Sequence, residues 1–569
     1  MSQAHTRTAD VCIVGVGAVG GILAKELATA GLDVVAFERG PALQHADYAA
    51  RDSIKFTVRQ SQLDWVRHDP VMQRREPDAP ATLRYTTSPA NALGGALLHW
   101  TGQASRFQPG DFKVFSNEVA SGLAEKAGAD LRGYDVVDWP VSYDDLEPYY
   151  ERFEWEFGVS GKAGVNPFEG PRKRGYPLPP LRRNARGEIF EGACERLGYH
   201  PFESPAGILS ESYRPPEPYD TRMPERPACV YCGHCNLYGC HVHAKAATLY
   251  TAIPVALSTG KVDLRTHSKV FRITTDDAGR AAGVQYFDPD GQIHEQRARV
   301  VILAAFVYEN VRLLLLSGDG GRRTRRGLAN SSDMVGKCIL AHGDVRAAGV
   351  YDNVVVNGFI GPGSAAMRID DFNGNNFDHA GLGFIRGGTI GTSGGGTPVE
   401  RVDVLPPGMR RWGREYKEFF TRYYNRMFEL NMQAETLPHP ENRVDLDPRR
   451  KDEWGVPLPR VTFALHENEL RLRRFLAEVG ERIMRETGAS QVWSDAKTTP
   501  SRWAGGTRMG SDPTRSVVNG YCQSHDVPNL FVVGSSDFPT MAGYPPTCTI
   551  AALAYRTAEY IAGQREWFR

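Results

Sequence analysis

Apolar and polar positions alternate in blocks along the chain. An apolar run at 11–14 meets a glycine-rich turn, Gly15-Val-Gly-Ala-Val-Gly20, then a stretch at 22–30 with helical spacing, then a second apolar run at 32–38 that stops at Arg39-Gly40-Pro41. Strand, turn, helix, strand in that order predicts a βαβ unit. Ser142 reads as the N-cap of an acidic helix reaching residue 157. Short strands are predicted over 262–288 with a turn at 288–291, a fully apolar strand at 299–305, and a helix at 309–317. Residues 342–465 mix strands with aromatic-rich turns, and 467–486 form an amphipathic helix. The chain closes on a strand at 530–535 and a helix at 549–562. Proline and arginine dominate 166–227, which reads as loop or lid.

Length sets the scale of this pattern. At 569 residues the chain is long enough for two or more cores, because single cores stop growing near ~250 to 300 residues. Lys plus Arg and Asp plus Glu both number 67, so no global field favours nucleic acid or an anionic bilayer, and a small molecule is the expected partner. The longest apolar runs, such as 300–306, fall short of the ~20 residues of a membrane-spanning helix. The opening residues carry neither a twin arginine nor an apolar signal core, which predicts a cytoplasmic protein unless a signal-bearing partner exports it.

The turn carries the first recognisable chemistry. Gly15-x-Gly17-x-x-Gly20 lies between strand and helix, and Glu38 ends the next strand about twenty residues on. Glycines allow backbone amides to approach a pyrophosphate at a helix N-terminus, and an acid there can accept from a ribose diol. The acid argues against NADP but does not separate NAD from FAD.

Of nine cysteines, four fall within twelve residues: Cys229, Cys232, Cys235 and Cys240. Four thiols on one loop are the ligand set of an iron–sulfur cluster, although the Cys-x2-Cys-x2-Cys-x4-Cys spacing differs from the ferredoxin run. Zinc, disulfides and free thiols are the alternatives.

Four further segments follow in order: Asn91-Ala-Leu-Gly-Gly-Ala-Leu-Leu-His-Trp-Thr-Gly102, Trp139-Pro-Val-Ser-Tyr-Asp-Asp-Leu-Glu-Pro-Tyr-Tyr150, Gly506-Thr-Arg-Met-Gly-Ser-Asp-Pro513 and Pro528-Asn-Leu-Phe-Val-Val-Gly534. Together they resemble the glucose-methanol-choline (GMC) family of FAD oxidoreductases over nearly the whole chain. The cysteine loop, with Tyr308-Glu-Asn-Val-Arg312 and Asn442-Arg-Val-Asp-Leu-Asp447, is similar to the large subunits of gluconate and fructose dehydrogenases. The resemblance implies an α/β fold, a Rossmann-type FAD-binding domain joined to a mixed-sheet α+β substrate domain. It implies FAD-binding parts at 1–165 and 229–341, a lid or loop at 166–228, a substrate-binding domain at 342–490, and a return at 491–569 carrying catalytic loops. It implies FAD-dependent oxidation of a hydroxyl on a sugar, sugar acid or glycosylated small molecule, with a small subunit or electron-transfer partner. Gly15, Gly17, Gly20 and Glu38 would hold the adenosine end, Gly94, Gly95 and Ala96 would pass the pyrophosphate and flavin, Val270 would touch adenine, and Gly534 and Thr547 would lie near the ribityl and ring. His99 would sit in the flavin-contact stretch, which resembles a covalent attachment segment in pyranose oxidases, with non-covalent binding preferred. For the cysteine loop the order of preference is iron–sulfur cluster, disulfide or free thiols, then zinc.

One departure stands out. Where the family places a catalytic histidine and asparagine, this sequence has Arg502 and Pro545; arginine stays protonated, and proline has no side-chain hydrogen-bonding group. Three explanations compete: His342, His525 or His99 has become the base; Arg502 binds a substrate anion; or the flavin serves a redox-neutral reaction of lyase or isomerase type, or a degenerate subunit.

Overall fold

The computed structural model describes residues 7–43, 70–85, 90–233, 235, 238–318, 326–358, 360–393, 404–496 and 500–568. A parallel sheet runs Val262–Arg265, Val34–Phe37, Ala9–Val14, Ile293–Leu303, Leu530–Val532. Its strands Val34–Phe37, Ala9–Val14 and Leu530–Val532 are almost wholly buried, as parallel strands covered on both faces are, while the edge strand Val262–Arg265 carries Asp263 and Arg265. The strand Ile293–Leu303 changes character midway. Its first half alternates exposed and buried residues and pairs antiparallel with Ala281–Phe287, which pairs with Lys269–Thr275; its last four residues, Val300 to Leu303, are fully buried within the parallel sheet.

The helix Ala18–Thr29 begins directly after Gly17, four residues before the hydrophobic pattern suggests, so the turn is tighter than the sequence shows. It packs against the closing helix Thr547–Gly563, which in turn meets Tyr143–Phe157. Ser142 caps that last helix as expected: its hydroxyl accepts from the Asp145 amide, and the Asp145 carboxylate accepts from the Ser142 amide at 2.8 Å.

The second sheet is antiparallel, in the order Gln491–Asp495, Leu340–Val350, Met427–Ala434, Gly388–Ser393, Met367–Ile369, Phe202–Glu203. One face is apolar, with Val345, Leu430, Met432, Ile390 and Ile369 packed beneath the helix Glu467–Glu486 through Leu472, Leu476, Val479 and Ile483. Strand alternation therefore sends the intervening residues to the opposite face. Segment 166–228 departs from the expected loop. It contains the helix Ala185–Arg196, capped by Asn184 on the Gly187 amide, and the edge strand Phe202–Glu203; Phe190 and Cys194 join the same apolar core. Its dense arginines and prolines hide an apolar stripe of only three or four residues.

Only 70–85 and 90 of the polar stretch 50–90 are described. There Pro70–Arg74 and Thr82–Tyr85 form a hairpin that joins Pro457–Thr462 and Arg443–Lys451 in a third sheet. In the aromatic helix Arg414–Tyr423, Phe419 and Tyr423 enter a core while neighbouring Trp412 is 69% exposed.

Candidate active site

The carboxyl ends of the parallel strands open onto a cleft lined by Gly15, Gly17, Glu38, Gly95, Ala96, Val270, Gly534 and Thr547. This is where open α/β sheets bind nucleotides. Gly15 has φ +92°, and a Cβ there would stand 2.6 Å from the Ala304 carbonyl oxygen. Gly17 and Gly95 face each other so closely that a Cβ on Gly95 would lie 2.7 Å from the Gly17 Cα. Gly94 fixes that approach by donating its amide to the Val16 carbonyl at 2.9 Å. Gly20 lies behind the loop: a Cβ there would strike the Gly15 carbonyl oxygen at 1.9 Å, so it sets helix packing and does not face the cleft.

Glu38 is buried, and its carboxylate accepts from the Val16 amide at 3.1 Å and the Gly40 amide at 2.9 Å. Burial raises its pKa and the two amides pull it back. Each oxygen retains acceptor capacity on the cleft side for a ribose hydroxyl. The helices Ala18–Thr29 and Thr547–Gly563 both point their N-terminal turns at the cleft through Ala18, Val19, Thr547 and Ile550, which suits a pyrophosphate and the electron-rich edge of a flavin. A glycine-floored cleft with an anchored acid at one end and helix N-termini along it fits FAD.

Several lining residues were not anticipated. Phe306 takes φ +79° just after the long strand, and Asn310, Glu309, Lys269, Ser535 and Ser536 complete the wall beside Trp100 of the expected flavin-contact stretch. The apolar strand before Phe306 was the available signal, since its carboxyl end must reach the cleft. His99 is buried beside Trp100 but is not among the lining residues; its Nε2 has no hydrogen-bond partner, and burial followed by the Lys245 charge lowers its pKa to about 4.

Beside the cleft lies the polar face of the antiparallel sheet. His342 and Asp344 project from one strand, Gln433 is opposite Asp344, and Thr389 is opposite Gln433. Loops from the cleft rest on this face. Gln433 Nε2 donates to Gln103 Oε1 at 3.1 Å, Gly505 donates its amide to the Ser535 carbonyl at 2.9 Å, and His342 Nε2 bonds the Ala542 carbonyl at 2.7 Å. A carbonyl can only accept, so Nε2 carries the proton and Nδ1 is a bare lone pair, buried and without a partner. Burial, then the Arg502 charge, lowers the His342 pKa to about 4, which keeps the ring neutral.

Arg502 is next to His342 across a bulge: His342 is paired with Ser501, and Arg502 has φ +52°. Its Nη1 donates to both oxygens of Asp344, at 2.9 and 3.0 Å, and the guanidinium holds that carboxyl below its ordinary range although burial opposes this. The cation expected to bind a substrate anion is thus already paired within the chain. Pro545 is buried between Tyr544 and Pro546, ahead of the closing helix. His525 is elsewhere: its Nε2 bonds Ser516 Oγ at 3.0 Å and the Gly510 carbonyl at 3.2 Å, and it does not line the cleft.

The cysteine loop abuts the same region. The buried Lys245 ammonium donates to the carbonyls of Trp100 at 2.9 Å and of Cys235 and Tyr238 at 2.8 Å. All four thiols are free; Cys235 is buried, Cys232 exposed, and Cys229 and Cys240 half-buried. Residues 234, 236 and 237 lie outside the described set, and among the described residues no three His, Cys, Asp or Glu side chains are gathered to hold a metal. The expected cluster thus finds no assembled ligand set among the described residues.

Comparison with known proteins agrees with this geometry. The GMC oxidoreductase signature matches residues 219–344 in its N-terminal part and 438–554 in its C-terminal part. The gluconate 2-dehydrogenase flavoprotein of Pantoea cypripedii is 33% identical over 98% of this chain and 94% of its own length. The chain belongs to the GMC oxidoreductase family. The 2-methyl-1,2-propanediol dehydrogenase of Mycolicibacterium austroafricanum is 31% identical over 97% of the chain and 95% of that protein, and the fructose dehydrogenase large subunit of Gluconobacter japonicus 28% over 98% of each. Among solved structures, formate oxidase of Aspergillus oryzae RIB40 superposes with a TM-score of 0.62 at 15% identity, covering 99% of this chain and 100% of that one, which shows the shared GMC fold. As a GMC oxidoreductase the chain is an FAD-dependent dehydrogenase or oxidase of the alcohol and sugar type. No helix among the described residues is long and apolar enough to cross a membrane.

Proposed function

We propose that the chain oxidises a hydroxyl of a sugar, sugar acid or related polar alcohol, with His342 as the general base. The supporting observation is the free Nδ1 of His342 on the polar face beside the flavin end of the cleft. FAD, when bound, supplies the hydride acceptor. The Ala542 carbonyl fixes the tautomer, so Nδ1 takes the hydroxyl proton as the carbinol carbon gives up its hydride and becomes a carbonyl. The Arg502–Asp344 pair places a balanced charge next to the ring: burial and, after it, the cation keep His342 neutral, and Asp344 offsets the imidazolium that forms. Electrons then pass to an acceptor other than NAD, and a small subunit or electron-transfer partner is in keeping with a relative named as a large subunit.

Anaerobic flavin reduction by a panel of sugars and sugar acids tests this. His342→Gln should bind FAD normally yet reduce it far more slowly; reduction at the wild-type rate would remove the histidine from the mechanism. Arg502 and Pro545 at the family's catalytic positions favour a second reading, a redox-neutral reaction. Substrate conversion without flavin bleaching would select it.

A further inference from the structure

Buried Arg106, Arg312, Arg386 and Arg508 are each paired with acids, whereas buried Arg226 donates to main-chain carbonyls. Arg386 donates to Glu435 at 2.7 Å, Glu118 at 2.6 Å and also Asp111; Arg106 holds Glu154 and Glu147; Arg508 lies 2.9 Å from Asp135. Arg368 differs. It is 1% exposed, its Nε has no partner, its Nη1 makes a long 3.4 Å contact to Thr389 Oγ1, and among the described residues no carboxylate is within ion-pair distance. Asp370, two residues on, is the acid whose charge acts most on Arg368, but it is not in ion-pair contact with it: its Oδ2 accepts from Tyr544 and from Asn166 Nδ2 at 2.6 Å, and its Oδ1 is buried without a partner.

The surroundings look built for this side chain. Arg368 is opposite Gly391, and a Cβ on Gly391 would lie 2.6 Å from the Arg368 Cγ, so the stem needs the bare glycine. Register and alternation put Arg368 on the same face as His342, Asp344, Gln433 and Thr389. The same region holds other buried polar atoms with no partner: Gln433 Oε1, Ser364 Oγ and both amide atoms of Asn373. Ser364 is close to the flavin-contact stretch, since a Cβ on Gly102 would be 3.2 Å from its Oγ; Asn373 is close to the loop before Tyr544, since a Cβ on Gly543 would be 2.1 Å from its Oδ1. A buried guanidinium without an anion is costly, and native structures pair such charges.

We infer that Arg368 is a specificity-determining residue that binds a carboxylate on the substrate, so that the alcohol oxidised is a hydroxy acid. The planar guanidinium fork suits a carboxylate, and Gln433, Ser364 and Asn373 offer hydrogen bonds to its hydroxyls. This rests on the reading of the polar sheet face as the substrate side.

The test compares an aldonate with the corresponding neutral alditol in anaerobic flavin reduction by the holoenzyme. Wild type should favour the aldonate. Arg368→Gln should raise the aldonate KM by about 10- to 100-fold, shift the alditol KM far less and keep the flavin bound, with partial recovery in Arg368→Lys. Equal losses for both compounds, or a wild type indifferent to the carboxylate, would overturn the inference. Should Arg368→Gln fail to fold, wild-type competition decides: acetate must inhibit and acetamide must not, and equal inhibition rejects the carboxylate site. His342→Gln slows both compounds, so failure of the base and failure of the anchor give different patterns.

Discussion

The cleft and the polar sheet face adjoin, yet they are made of different material. The cleft is chiefly backbone: glycines at Gly15, Gly17 and Gly95 let main chain approach main chain, and the one anchoring acid, Glu38, is itself held by amides. The sheet face is side chain, with His342, Asp344, Gln433 and Arg368 drawn from strands dozens of residues apart and several of their polar atoms unpaired. A backbone site binds a constant ligand and tolerates little substitution. A side-chain site can change its ligand one residue at a time, which fits a family whose named members act on different alcohols.

The comparison can be broken at several points. Gly15→Val is expected to have the largest effect: the positive φ and the contact with Ala304 leave no room for a branched side chain, so the protein should purify without flavin absorbance. His342→Gln should retain flavin and lose about 10²- to 10⁴-fold in the rate of flavin reduction, measured by anaerobic stopped flow.

A pH series sharpens the contrast. His342 must be neutral to accept a proton, so reduction should hold steady above its pKa and fall as pH drops through about 4. Stability follows the same groups. His99 and His342 have folded pKa values near 4 against an ordinary 6.5, so the unfolded chain binds more protons between those values. Stability should therefore rise with pH from 4 to 6.5 and be lost on acidification across that window, with thermal melts of His99→Gln showing a shallower slope. Asp344→Asn strips the acid from Arg502 and should lower the melting temperature by a few degrees, equivalent to about 1–2 kcal/mol because Arg502 reaches solvent. The smallest effect is expected of Gln433→Leu: a severalfold change in KM with flavin content unchanged, read from titration and steady-state rates.

The cleft was legible because its chemistry is local. A glycine spacing, a strand on each side and an acid twenty residues on are all visible in one window, and Gly94, Gly95, Gly534 and Thr547 came with the family motifs. The polar face was not. The alternation Glu429-x-Asn431-x-Gln433-x-Glu435 opposite His342-x-Asp344 is a period-two signal, but only register shows that these strands are neighbours. His342 was named among several histidines, whereas Arg368, Gln433 and Asp370 were missed. Arg502 was recognised as out of place, and its partner Asp344, 158 residues away, could not be read from the chain. The helix in 166–228 was lost for a related reason, since its apolar stripe is short and surrounded by charge.

One ammonium ties two of these regions into a single mechanical unit. The buried Lys245 grips the Trp100 carbonyl from one side and those of Cys235 and Tyr238 from the other. A rearrangement of the cysteine loop would therefore be transmitted through Lys245 to Trp100, a residue of the cleft wall.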